Sequence, residues 1–190
     1  AVLLSLDAEM VAKWLYSNNL ITNDPAEMNG PETRAIVYNE MEEINPYSDP
    51  AENDEVTSHV HGLLHTISHE LIKEAAQLSG IERTSLAEFL FPESLSVAIY
   101  SNHTESFTIG GLYTLVERNL ENWLRAARSE SQNCVYDPVC ANQDGTCHAC
   151  THISEISCQH FNRNLSRGHL YGNATEDRDV TGYWDLTDDR

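Results

Sequence analysis

Hydrophobic residues recur at helical spacing in two long stretches of the chain. The first stretch predicts a core helix over 57–79, because seven apolar residues share one face and Gly80 follows as a C-terminal stop. The second predicts a helix that begins at about Ile109, with an apolar stripe on one face and arginines on the other. The stripes comprise Val60, Leu63, Leu64, Ile67, Leu71, Ala75 and Leu78 in the first helix and Leu112, Leu115, Val116, Leu120, Trp123 and Ala127 in the second.

Shorter patterns predict smaller elements around these two helices. Asp7 and Ser154 are each placed to cap a helix, and the Ser-x-x-Glu sequence of Ser85 to Glu88 is typical of a helix start. We therefore expect an α+β fold, a helix-rich single domain with a small sheet. The predicted elements are strands over 1–6, 35–38 and 95–101, and helices over 8–16, from 85 to before Pro92, and over 155–165.

Composition divides the chain into three segments. Residues 1–55 hold a strand, a helix and an acidic connection that contains Pro46 and Pro50. Residues 56–172 hold both long helices, and residues 173–190 form an acidic tail. An apolar content of 41% over 190 residues is enough for one domain with a substantial core.

All the cysteines lie between residues 134 and 158, in the pattern C-x5-C-x6-C-x2-C-x7-C. The C-x2-C pair follows Gly145 on a predicted turn, and that spacing allows two sulfurs to face one tetrahedral metal site. Four thiolates would form a closed shell with a structural role, which completes the predicted fold class with a C-terminal four-cysteine zinc cluster. The predicted Zn²⁺ ligands are Cys134, Cys140, Cys147 and Cys150, with Cys158 as the alternative ligand.

Two other arrangements of the thiols are open. The first is a disulfide with leftover thiols. The chain has five cysteines, and this odd number is explained better by four metal ligands and one spare thiol than by a closed set of disulfides. The second is a thioredoxin-like redox motif, which would follow a strand in a βαβ unit and would not lie among three further cysteines.

Three histidines follow one another along a second face of the first long helix. His61, His65 and His69 are spaced at i, i+4 and i+8, so three imidazoles in line could bind a metal. No acidic residue lies between His65 and His69 as in H-E-x-x-H, and hydrogen bonding across a helix interface is the alternative interpretation. The candidates for acid–base catalysis are His65 and His69, together with Glu105 and His103 of the loop after the 95–101 strand.

The chain is strongly acidic, with 30 acidic and 11 basic residues and a formal net charge of −19. The only two lysines are Lys13 and Lys73, and such a surface is expected of a haloarchaeal or otherwise salt-adapted protein. The alternative interpretation of the acidic surface is a binding face for a basic partner.

No run approaches the roughly 18 apolar residues of a membrane span, so we expect a cytoplasmic protein. The first residue is Ala, which indicates a piece of a longer protein.

Five of the eleven basic residues flank the cysteine segment. Arginines at these positions could contact nucleic-acid phosphates. Surface ion pairing, for example between Glu121 and Arg125 at i, i+4, is the plainer interpretation. The five residues are Arg118, Arg125, Arg128, Arg163 and Arg167.

An ordered set of short motifs in this chain resembles a known family. They are LHTISH at 64–69, TIGGL at 108–112, DPVC at 137–140, CHAC at 147–150 and EISCQHFNR at 155–163. Together they resemble the domain of unknown function 1998 (DUF1998) family, in the version found in the DrmB component of the DISARM anti-phage system. A related zinc-binding domain ends the MrfA-type DNA-repair helicases. The resemblance covers about residues 56–172.

The resemblance implies a non-catalytic accessory module of a helicase-associated DNA-processing complex, in anti-phage defence or DNA repair. Its expected partners are the helicase subunit and, through the complex, DNA. The helicase version has a C-x-C pair in place of Cys134 and Cys140, so the choice of four ligands among five cysteines stays open. The alternatives are a metal-dependent nuclease or other hydrolase that uses His65, His69 and Glu105, or a purely structural C-terminal cap.

Overall fold

A 25-residue helix, α3 (Glu55–Ser79), lies at the centre of the protein, and its residues 60–76 are all buried. The computed structural model describes residues 1–42, 44, 54–103, 106–143, 145–175 and 178–187. Asp54 caps α3 by accepting hydrogen bonds from the N–H groups of Val56 and Thr57, and Gly80 ends it in the left-handed conformation at φ 69°. The predicted core helix is confirmed, although Leu78 at its end is 37% exposed.

The second long helix, α4 (Ser106–Glu130), packs against α3. The indole N–H of Trp123 donates to the carbonyl of Leu71 at 2.8 Å. The helix begins three residues before the predicted start, and most of the predicted stripe is buried. Leu120 is an exception, 37% exposed, and it directly follows Asn119, whose backbone departs from helical geometry (φ −133°, ψ 16°).

An antiparallel sheet of three strands covers another side of α3. It comprises β1 (Val2–Ser5), β2 (Leu86–Phe91) and β3 (Ser96–Ser101) in the order β1-β3-β2, with Ala98 paired to both Leu3 and Phe89. Alternation directs one face to the core and the other to solvent. The inward side chains include Leu86, Glu88, Leu90, Val97 and Ile99, and the exposed ones are Leu3, Phe89, Phe91 and Tyr100.

The termini of the described chain meet at α1 (Ala8–Ser17), which Asp7 caps as predicted. The indole N–H of Trp14 donates to the carbonyl of Thr181 at 2.9 Å, and the Trp14 ring packs edge-on against Tyr183. All three predicted segments of the sequence therefore contribute to one core.

The last α-helix of the described chain is α5 (Gly168–Tyr171). It is followed by a hairpin of β4 (Asn173–Thr175) and β5 (Arg178–Val180) and by a short 3-10 helix, Asp185–Thr187.

Three predicted elements are wrong. Residues 35–38 are not a strand but part of α2 (Gly30–Asn39), because Asn29 and Glu32 form a capping box that the flanking Pro and Gly signals concealed. The predicted helix at 85 is strand β2, since pairing with β3 and burial of the Glu88 side chain outweigh the Ser-x-x-Glu pattern.

The predicted helix over 155–165 is instead a series of turns. Phe161, Asn162 and Asn164 have φ values of 54–55°, which a right-handed helix does not allow. The N–H of Asn162 bonds to the Cys158 sulfur at 3.2 Å, and the Asn162 side chain bonds to both the N–H and the carbonyl of Ile153. Side chains here take the backbone partners that a helix would have used.

Within the described residues, no helix combines the length and the apolar character that crossing a bilayer requires.

Candidate metal centres

Four thiols converge in the segment after α4. The sulfurs of Cys134, Cys140, Cys147 and Cys150 all lie within 4.8 Å of one another. The Sγ–Sγ distance is 3.6 Å from Cys134 to Cys147 and from Cys140 to Cys150, and 3.5 Å from Cys147 to Cys150. These are the four cysteines predicted as ligands; we call them the cysteine centre.

The thiol separations fit a tetrahedral metal ion. A disulfide would require about 2.05 Å between sulfurs, and all five cysteines are free. Two sulfurs that each lie about 2.3 Å from a tetrahedral zinc ion are roughly 3.8 Å apart. The observed 3.5–3.6 Å is close to that value, so the cysteine centre could hold one metal ion.

Backbone turns place the cysteines of this centre. The carbonyl of Cys147 accepts from the N–H groups of Cys150, Thr151 and His152 at 3.1–3.2 Å, which brings the two sulfurs of the C-x2-C pair to the same side. Gly145 precedes the pair with φ 69°, and a Cβ there would lie 2.6 Å from the Cβ of Arg167. Glycine therefore allows both the turn and the close approach of Arg167.

Arg167 orders the first half of the cysteine centre from inside the protein. Its guanidinium donates to Asp137 Oδ1 at 2.6 Å, and the other carboxylate oxygen of Asp137 accepts from the N–H of Cys134 at 2.8 Å. The hydrogen bond from Arg167 lowers the pKa of Asp137. Because Arg167 is only 4% exposed, it is placed to position Cys134 and is not available to a phosphate group.

Backbone donors favour a thiolate at the C-x2-C turn. Burial raises the pKa of the Cys147 thiol, but the N–H groups of Ala149 and Cys150 outweigh burial and bring it to about 7. Burial raises the pKa of Cys140. Metal binding requires the thiolate form, and the amide donors at Cys147 provide part of that stabilisation.

Cys158 belongs to a second group, at the centre of the protein. His65, His69, Glu88 and Cys158 are all buried, and one ligand atom of each lies within 4.8 Å of the others. His65 Nε2 is 3.1 Å from both Cys158 Sγ and Glu88 Oε1, and His69 Nε2 is 3.3 Å from Glu88 Oε1. We call this group the buried centre.

Main-chain carbonyls orient both imidazoles of the buried centre. His65 Nδ1 lies 2.8 Å from the carbonyl of Arg163, and His69 Nδ1 lies 2.8 Å from the carbonyl of Thr151. A carbonyl oxygen only accepts, so each Nδ1 carries the proton and each Nε2 faces Glu88. Thr151 directly follows Cys150, so the residue whose carbonyl orients His69 is the neighbour of a cysteine-centre residue.

Opposite charges control the pKa values of the buried centre. Burial lowers the pKa of each imidazole, but Glu88 outweighs burial, so the pKa of His65 is raised and that of His69 reaches about 10. Burial raises the pKa of Glu88, yet the two imidazoles hold it well below its usual range. Burial also raises the pKa of Cys158, and hydrogen bonds from His65 and His69 bring it to about 7.

The catalytic candidates that the structure describes are not assembled on an accessible surface. The side chains of His65 and His69 are 0% exposed, which closes them to substrate. His103 is exposed, and Glu105 lies outside the described residues.

The third histidine of the predicted line, His61, is not part of the buried centre. It packs edge-on against His160, with ring centroids 4.5 Å apart, and burial lowers the pKa of His61 to about 2. The sequence patterns did not predict Glu88 as part of the buried centre, because the Ser-x-x-Glu pattern placed it in a helix; the signal for it is an acid at an inward position of strand β2.

Most of the other predicted arginines lie on the surface. Arg118, Arg125 and Arg163 are exposed, and Arg125 bonds to Glu121 at 2.6 Å, the ion pair that the sequence predicts. Arg128 is half-buried and donates to the carbonyl of Trp184 at 2.8 Å.

Comparison with known proteins finds one informative likeness. No family model matches the chain, so membership of the DUF1998 family stays a prediction. The chain is 31% identical over 126 residues to the DISARM protein DrmB of Bacillus paralicheniformis, an alignment that covers 58% of this chain and 22% of that protein. The chain thus spans about a fifth of the length of this curated relative.

Proposed function

We propose that this chain is a zinc-binding, non-catalytic accessory module of a DISARM-type, helicase-associated DNA-processing complex that acts in anti-phage defence. The observation that carries the proposal is the partial likeness to the DISARM protein DrmB. We assign the module to residues 56–172, with β1, α1 and the last described residues completing its core.

Zinc is the metal that the cysteine centre is best suited to hold. Four thiolates with tetrahedral separations favour zinc, because hard ions such as Mg²⁺ and Ca²⁺ prefer oxygen ligands. A shell of four protein ligands leaves no position for water or substrate, so the ion would have a structural role. It would hold the segment after α4, where short turns provide few buried apolar side chains.

The outer face of the sheet is the surface through which we propose docking to the helicase subunit. Four large apolar side chains share it: Leu3 is 64% exposed, Phe89 43%, Phe91 41% and Tyr100 36%. The rings of Phe89 and Phe91 lie 4.8 Å apart. Contiguous exposed apolar groups of this kind mark interaction sites, and aromatic side chains commonly dominate binding energy there.

DNA contact is proposed for the surface arginines and only within the complex. Arg118, Arg125 and Arg163 are exposed, and Arg128 lies on the same helix as the first two. The net charge of −19 opposes binding of DNA by the isolated chain unless salt screens it. A favourable DNA path would therefore need basic residues from the helicase subunit beside these arginines.

Co-purification with the helicase subunit tests the docking proposal. The chain is co-expressed with the helicase subunit of the DISARM system from the same source, as wild type, as the double variant Phe89→Ser/Phe91→Ser, and as Tyr38→Ser. Tyr38 is 56% exposed on α2 and serves as the matched control. We expect the wild type and Tyr38→Ser to retain the helicase subunit and the double variant to lose it.

Two results would contradict this proposal. Failure of the folded wild type to retain the helicase subunit would remove the accessory role. Equal retention by the double variant would place the contact elsewhere, and cross-linking would then report whether the sheet face packs on a second copy or on another part of a longer chain.

A further inference from the structure

We propose that the buried centre is a second structural zinc site, with His65, His69, Glu88 and Cys158 as its four ligands. This site is separate from the cysteine centre and does not depend on the proposed DISARM role. It lies where α3, β2 and the turns after the C-x2-C pair meet in the core.

The separations between the ligand atoms are close to those around a tetrahedral ion, and slightly shorter. With Zn–N and Zn–O near 2.0–2.1 Å and Zn–S near 2.3 Å, the ligand atoms of such a shell lie roughly 3.3–3.6 Å apart. The observed distances are 3.1 Å for His65 Nε2 to Cys158 Sγ, 3.1 Å for His65 Nε2 to Glu88 Oε1 and 3.3 Å for His69 Nε2 to Glu88 Oε1. All four ligand atoms lie within 4.8 Å of one another.

The hydrogen bonds around the imidazoles turn two lone pairs toward the same carboxylate. Each Nδ1–H donates to a main-chain carbonyl, so in the neutral imidazoles each Nε2 is an acceptor. Glu88 Oε1 is also an acceptor, and one thiol proton on Cys158 cannot satisfy two imidazoles and a carboxylate. A cation at the centre would accept all four electron pairs.

The outer contacts are those that support metal ligands. The carbonyls of Arg163 and Thr151 hold the two rings, the hydroxyl of Ser68 contacts the other oxygen of Glu88, and the N–H of Asn162 donates to Cys158 Sγ at 3.2 Å. Histidine ligands commonly donate their second N–H to a carbonyl or carboxylate in this way. Each ligand therefore has a partner that fixes its direction.

Charge and burial identify the ion. A carboxylate and a thiolate carry two negative charges, which one divalent ion balances, whereas unpaired charges in a core are costly. Two imidazoles and a sulfur favour zinc over oxygen-seeking ions. Because His65, His69 and Glu88 are 0% exposed and the shell is closed to water, the ion would tie three chain segments together and would have no catalytic role.

The rival arrangement is a network of protons. Two protonated imidazoles, the Glu88 carboxylate and the Cys158 thiolate would also be neutral in sum. Metal stoichiometry separates the two arrangements, because the network needs no ion.

Native mass spectrometry of the full chain, loaded with excess zinc and desalted, measures that stoichiometry. We expect two zinc ions in the wild type and one in both the double variant Cys134→Ser/Cys147→Ser and the variant Cys158→Ser. Loading with Co²⁺ should give an absorption spectrum with strong thiolate-to-metal bands in Cys158→Ser and a much weaker band in the double variant, since Cys158 is the only thiolate among the four ligands of the buried centre.

X-ray absorption at the zinc edge of the wild type provides a measurement that needs no substitution. Two filled centres would average about 2.5 sulfur and about 1.5 nitrogen or oxygen ligands per zinc, whereas the cysteine centre alone would give four sulfurs. One zinc per wild-type chain with an all-sulfur shell would overturn the second site and leave the proton network. Neither result depends on whether the chain retains a helicase subunit.

Discussion

The two candidate centres use cysteine in opposite ways. The cysteine centre takes all four ligands from residues 134–150, and two of its thiols, those of Cys134 and Cys147, are partly exposed. The buried centre takes its ligands from α3, β2 and the turns near residue 158, and all four are buried. The first orders a local segment, whereas the second joins parts of the chain that are far apart in sequence.

This contrast predicts different dependence on folding. A local site can form as soon as its turn forms, and it can lose its metal while the rest of the domain stays folded. The buried centre can exchange its metal only when the core opens. Each prediction below compares the two centres, from the largest expected effect to the smallest.

Metal removal should have the largest effect, and it should occur in two stages. A chelator at neutral pH is expected to take the ion from the partly exposed cysteine centre first, and that of the buried centre only when denaturant opens the core. Structural zinc contributes roughly 10–16 kcal/mol of apparent binding free energy in small domains, so loss of both ions should unfold the chain. Zinc release and circular dichroism, followed together through a chelator titration in increasing urea, measure the stages. Simultaneous release of both ions would contradict the difference in access.

Removing the carboxylate of the buried centre should give the largest effect of a single substitution. Glu88→Ala removes the carboxylate that contacts both His65 and His69 in the core, and removing one partner of such a buried charged group typically lowers the free energy of unfolding by about 3–5 kcal/mol. Glu93→Ala, at an exposed position in the turn before β3, is the control and should change it by less than about 0.5 kcal/mol. Urea unfolding measures both. A small effect of Glu88→Ala would show that the core tolerates loss of the carboxylate.

Removing the support of the cysteine centre should have an intermediate effect confined to that centre. Arg167→Met breaks the contact with Asp137 that orders the N–H of Cys134, and loss of such support typically lowers metal affinity 10–100-fold. We expect weaker zinc binding at the cysteine centre and unchanged binding at the buried centre, measured by competition with a chromophoric chelator. Equal weakening at both centres would show that Arg167 acts through the whole fold.

The exposed arginines should have the smallest effect on stability. Arg118→Ala/Arg125→Ala removes the surface ion pair between Arg125 and Glu121, and such pairs contribute about 0–1 kcal/mol. The unfolding free energy and zinc content should stay near the wild-type values, while DNA affinity of the assembled complex should fall, as measured by fluorescence anisotropy at several salt concentrations. Unchanged DNA affinity would favour the structural cap without DNA contact.

Sequence periodicity predicted the parts of the fold that rest on local order. The stripe of α3 and its Gly80 stop, the Asp7 cap of α1 and the 95–101 strand all depend on neighbours within a few residues. The wrong prediction of a helix at residue 85, by contrast, concerns a segment whose structure depends on partners elsewhere in the chain. β2 is a strand because β3 pairs with it and α3 accepts its Glu88, and neither partner is visible in the sequence around residue 85.

The sequence alone determined that four closely spaced thiols are available for one tetrahedral site, since a C-x2-C turn and two nearby cysteines restrict their separation over a short length of chain. Only the tertiary structure decided which cysteine is left over and what it meets. Cys158 lies 93 positions from His65 along the chain, yet 3.1 Å separates its sulfur from the imidazole. Packing of α3, β2 and the turns after the cysteine centre brings them together, and no local pattern encodes that distance.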